Sequence, residues 1–130
     1  MNFIPSTKTA LRACKDYNEQ DVLPCIKQLF KDVPPPDVRG KTVLLKPNIL
    51  SPKKPEFAIC THPVVVSSCV KAFYELGAKK VLVGESPAVV PSIAAAKASG
   101  MLEAVTEAGG EWIDFSESVS ISCPEGSLVK

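Results

Sequence analysis

The chain has 130 residues, 45% of them hydrophobic and 22% charged, the size and makeup of one globular domain with a single core. A net charge of +1 excludes the basic footprint of a nucleic-acid binder or of a protein drawn to an anionic membrane. No stretch reaches the roughly eighteen apolar residues of a membrane span, and "MNFIPSTKTALRA" lacks the charged start and apolar run of a signal peptide.

In chain order, Lys8 to Cys14 ("KTALRAC") reads as a first strand. Val22, Ile26, Leu29, Phe30 and Val33 then recur at helical spacing, with Asp21 as the expected cap and Pro24 in the opening turn. Pro34, Pro35 and Pro36 end that helix. Thr42 to Lys46 is a second strand, followed by a polar loop. The next helix puts Val65, Cys69, Ala72, Phe73 and Leu76 on one face, with Thr61 as cap, Pro63 in its first turn and Gly77 as its stop. Lys80 to Gly84 ("KVLVG") is a continuous apolar run that predicts a strand buried on both faces. Ser92 caps a helical stretch through Ala98, and Met101 to Ala108 resumes it after Ser99-Gly100. Glu111 to Phe115 is a fourth strand, and Val119–Cys123 with Leu128–Lys130 would make a short hairpin. The order β-α-β-α-β-α-β predicts an α/β fold with a mostly parallel sheet, flanking helices and right-handed crossovers.

Parallel strands send their C-terminal ends to one edge, where open α/β sheets bind ligands. Three strand ends carry polar residues: Lys15 to Asn18, then Lys46-Pro47-Asn48, then Glu85-Ser86. The helix opening at Thr61-His62 would add free N–H groups and a positive dipole end beside them. Lys46, Pro47, Asn48, Thr61, His62 and Ser86 are therefore the candidate binding residues for an anion such as phosphate or carboxylate. Lys46 and Glu85 are the candidate catalytic pair, with Glu85 as general base. The competing reading of the same two residues is a structural ion pair at the sheet edge.

Several sites are excluded. Neither G-x-G-x-x-G nor G-x-x-x-x-G-K-[ST] occurs, and no G-x-S-x-G is present. Five cysteines at irregular spacing, with no Cys-x-x-Cys and a single histidine, give no metal-ligand pattern. They fit reduced thiols in a cytoplasmic protein. Cys25 and Cys69 read as core residues, and Cys60 as the thiol nearest a helix start.

The stretches "VLLKPNILSPKKPEFAICTHPVVV", "GAKKVLVGESP", "GMLEAVTEAGGEWIDF" and "CPEG" resemble the DUF362 family, often described as iron–sulfur cluster-binding. K-P-N, T-H-P and G-(D/E)-S-P occur in the family's order, with Glu85 where the family has aspartate. The resemblance implies a redox association. It also implies that this chain is the N-terminal portion of a longer protein, with any iron–sulfur cluster in a ferredoxin-like segment outside these residues. An unfinished sheet edge would then be free to pair with a second copy. The leading functional expectation is an anionic small molecule or cofactor bound at the strand ends, with no nucleic-acid or membrane partner. Two alternatives stand beside it. One is a non-catalytic structural or interaction module. The other is a transferase or isomerase half-domain for a phosphorylated or carboxylated metabolite, which needs a second domain to close its cleft.

Overall fold

The computed structural model describes residues 8–87 and 90–120. Its first regular element is helix α1, Glu19–Asp32. Asn18 is the cap: its side-chain oxygen accepts from the Asp21 N–H at 2.9 Å, and its amide donates to the Asp21 carboxylate at 2.7 Å. The expected Asp21 cap is thus three residues late, because Asn18 holds the extended backbone a cap requires (φ −126°, ψ 159°). Pro24 consequently falls in the second turn, not the first. The helix stops at Asp32, just ahead of the three prolines.

The expected first strand does not form. Residues 8–14 belong to no ladder, and Leu11 is 95% exposed. This segment lies along α1 instead. Arg12 donates twice to the Asp32 carboxylate, at 2.7 and 2.8 Å, and the Cys25 thiol reaches the Ala13 carbonyl at 4.0 Å. The Arg12 hydrogen bonds hold the Asp32 carboxyl below the usual carboxylate range.

From α1 onward the predicted alternation holds. Strands β1 (Thr42–Leu45), β2 (Lys80–Gly84) and β3 (Glu111–Ile113) form an all-parallel sheet in the order β1-β2-β3. Helices α2 (Pro63–Glu75), α3 (Ser92–Ala98) and α4 (Met101–Glu107) supply the crossovers. This is an α/β fold with three strands among the described residues, where four were expected ahead of the hairpin. Both β1 and β3 end earlier than predicted, at Leu45 and Ile113. The expected hairpin lies largely outside the described residues, and Val119 and Ser120 are in no strand.

In register, Val43 faces Val81, Leu45 faces Val83, and Val83 faces Trp112. These residues share one side of the sheet and pack with Val66 and Val70 of α2, Ala95 and Ala96 of α3, and Met101 and Val105 of α4. The other side carries Leu44, Leu82 and Ile113, none of them fully buried, and a Lys80–Glu111 ion pair at 2.6 Å. "KVLVG" is therefore covered on one face by the described helices, not on both. A second, smaller cluster joins Val22 and Ile26 of α1 to Ala72 of α2.

Two glycines matter to this packing. Gly77, at φ +90°, ends α2 in the left-handed conformation that lets the chain turn directly into β2. A Cβ on Gly84 would stand 2.9 Å from both Ile113 and Phe115, so only glycine lets the third strand close against the second there. Ser92 does not cap α3; Pro91 precedes the helix, and the Ser92 hydroxyl accepts from Trp112 Nε1–H at 3.0 Å. Among the described residues no helix is long and apolar enough to cross a membrane.

Candidate functional site

Lys46 and Glu85 each follow the last residue of a strand, and β1 and β2 are parallel and paired Leu45 to Val83. Both side chains therefore emerge at the same edge. The Lys46 ammonium meets both Glu85 carboxylate oxygens, at 2.8 and 2.7 Å. The burial is lopsided: the Glu85 side chain is 9% exposed and that of Lys46 62%. The Ser86 N–H adds a third hydrogen bond to Glu85, at 2.8 Å. A carboxylate taken this far out of water needs such partners, because an unpaired buried charge is costly. In this arrangement Glu85 is occupied as an acceptor, and Lys46 keeps one N–H beyond the two it gives the carboxylate.

The K-P-N and T-H-P signatures are joined by the loop between them. Asn48 N–H donates to the Thr61 hydroxyl at 3.0 Å, Thr61 N–H returns a bond to the Asn48 carbonyl at 2.9 Å, and the Asn48 amide donates to the Ile59 carbonyl at 3.2 Å. Ile49, buried in the main core, pairs with Cys60 across the same base. These contacts pinch residues 49–60 into a closed loop and hold the two signatures side by side. Thr61 thus serves the loop base, not the helix cap.

His62 caps α2 instead, its Nδ1 accepting from the Val64 N–H at 3.3 Å. That bond requires Nδ1 unprotonated and leaves Nε2–H as the donor. The expectation of free N–H groups at this helix start is not met. Pro63 has none, Val64 is bonded to His62, and Val65 N–H donates to the His62 carbonyl at 2.9 Å. Tyr17, in the polar turn after the expected first strand, stacks on the His62 ring at 4.4 Å between centroids and 14° between planes. It reaches the site from the turn just ahead of α1, since no strand forms before it.

Between the end of β1 and the first turns of α2 is a cleft of about 290 Å³, lined by Leu45, Lys46, Pro47, Asn48, Thr61, Val65, Val66 and Cys69. Four predicted residues thus share one cavity, with Glu85 tied in through Lys46 and His62 adjoining Thr61. Ser86 is elsewhere: it lines a separate hollow of about 220 Å³ with Ser92, Asp114 and Phe115. The apolar wall of Val65, Val66 and Cys69 was not among the predicted site residues, although the inward helical face carrying Val65 and Cys69 was its signal. Burial pushes the Cys69 thiol up to about 11, so it stays neutral in that wall.

No three His, Cys, Asp or Glu side chains among the described residues converge to hold a metal ion. The thiols of Cys14 and Cys25 lie on α1 and its flanking segment, Cys60 at the loop base and Cys69 in the cleft wall, a dispersed set that does not fit a cluster.

Fold and site together define a parallel α/β protein with an amphipathic cleft at the C-terminal edge of its sheet. Residues 43–130, which carry all three signatures, match the family described as "Domain of unknown function (DUF362)". The chain belongs to the DUF362 family. No curated protein and no solved structure matches it.

Proposed function

We propose that the chain binds an anionic small molecule or cofactor in the cleft between β1 and α2. The carrying observation is the exposed Lys46 side chain, its ammonium held by a buried carboxylate, at the lining of a cavity with an apolar wall. A ligand with a carboxylate or phosphate at one end and a short apolar body suits that arrangement. Its charge meets the free N–H of Lys46 and the Thr61 hydroxyl, and its body lies on Val65, Val66 and Cys69. Because Glu85 neutralises much of the Lys46 charge, affinity is modest and falls with added salt. The redox association of the whole protein rests on the family resemblance alone.

Thermal shift and calorimetry with inorganic phosphate and short-chain carboxylates test this reading on wild type and Lys46→Met. Ligand-dependent stabilisation in wild type and its loss in Lys46→Met are expected. Equal shifts in the two proteins count against the cleft as an anion site.

One observation favours a second reading, a non-catalytic structural module. Each signature already has an internal partner: Lys46 with Glu85, Asn48 with Thr61 and Ile59, His62 with Val64. Under it, Glu85→Gln and Lys46→Met lower stability, and no tested anion shifts the wild type. A general-base role for Glu85 additionally requires that ligand binding draw Lys46 away from it.

A further inference from the structure

The sequence spreads its cysteines without pattern, yet the fold brings two of them together. The Cys25 sulfur, inside α1, reaches the Ala13 carbonyl at 4.0 Å, which sets it beside the backbone of Cys14 on the segment before α1. The Cys14 sulfur reaches the Asp16 carbonyl at 3.5 Å, so both thiols lie against the same short stretch of chain. Arg12 anchors the same segment to the end of α1 through Asp32. Cys14 is exposed and Cys25 half-buried, so an oxidant can reach the pair. The segment has no ladder to break when it adjusts.

We propose that Cys14 and Cys25 form a reversible intramolecular disulfide that fastens the 8–18 segment to α1. The proposal is independent of the anion site. The oxidant class is a low-molecular-weight disulfide. Cys14, the more exposed thiol, attacks one sulfur of that disulfide as its thiolate, forming a mixed disulfide and expelling one small thiolate. Cys25 then attacks the Cys14 sulfur, forming the protein disulfide and expelling the second. Two protein thiols are oxidised, one external disulfide is reduced to two thiols, and the two cysteine protons pass to solvent or to the departing thiolates. The other described thiols are less suited. Cys69 is half-buried in the cleft wall with its thiol pushed up to about 11, and Cys60 is tied to the Ser51 carbonyl at 3.4 Å.

The ring so closed contains Tyr17, which stacks on His62 at the start of α2. Oxidation would therefore tether the residue that covers the histidine beside the cleft.

The test incubates the full chain with glutathione at graded ratios of reduced to oxidised form, followed by alkylation and peptide mass mapping. Expected are the paired loss of two alkylatable thiols, a Cys14–Cys25 linked peptide, and full reversal by dithiothreitol. Cys25→Ser should stall as a glutathione adduct on Cys14, and Cys14→Ser, at an exposed position, should abolish the link with helix content unchanged. A wild-type adduct on Cys14 that never resolves overturns the proposal. So does a link from either residue to Cys60, Cys69, Cys123 or a second chain.

Discussion

The Lys46–Glu85 pair is unequal, and its two halves should respond differently to substitution. Removing Lys46 strips the buried carboxylate of its cation and leaves it the Ser86 N–H. Lys46→Ala is expected to cost about 1–3 kcal/mol, the range for an unsatisfied buried polar group. Glu85→Gln keeps the shape and leaves an exposed ammonium in water, so its cost should stay below about 1 kcal/mol. Urea denaturation of both variants checks the order. Cys69 gives a prediction in pH. Its folded value, about 11, lies above that of an unfolded thiol. The neutral thiol's contribution is thus complete below about pH 9 and is lost as pH rises through 11. Its full size is about 2–3 kcal/mol. Cys69→Ala should flatten the alkaline loss of stability between those limits.

Elements form here where local chemistry and a partner agree. Glycine stops, proline breaks and the helical periodicity of α2 were all legible, because each acts within a few residues. The strand expected at 8–14 was not forbidden locally. It failed because its residues found α1 as a neighbour, with Arg12 on Asp32, instead of a sheet edge. Caps shifted for a related reason: Asn18, His62 and Pro91 hold the extended backbone at the helix starts, while Thr61 and Ser92 are engaged by Asn48 and Trp112. Asn18→Ala should lower stability by about 1 kcal/mol, measured by thermal or urea unfolding, as for other side-chain caps. Gly84→Ala forces a methyl group against Ile113 and Phe115. Its expected cost is about 1–3 kcal/mol, with loss of β3 protection in hydrogen exchange.

Across the whole molecule, α2 links the two clusters, with Val66 and Val70 on the sheet side and Ala72 on the α1 side. Met101 is fully buried where the helices meet the sheet. Met101→Ala should cost about 2–5 kcal/mol. If the clusters unfold together, the urea midpoint falls while the slope is unchanged. A second transition would show that α1 opens separately. Among the described residues, the face bearing Leu44, Leu82 and Ile113 is less covered than parallel sheets usually are. The continuous apolar run of β2 conceals this, since side-chain composition is the same whether one face is covered or both.

Sequence alone determined the α/β class, the β1 to β3 elements and the common edge shared by Lys46 and Glu85, because periodicity and strand direction are local or follow from chain order. Family signatures marked the positions that would matter without saying what each one does. Tertiary structure decided the rest. It closed Asn48 onto Thr61, spent the first-turn N–H groups of α2, separated Ser86 from the cleft, and brought Tyr17 onto His62 and Cys25 onto the backbone beside Cys14. Each of those outcomes depends on which distant hydrogen-bonding group or ring comes within a few ångströms, and spacing along the chain carries no record of that.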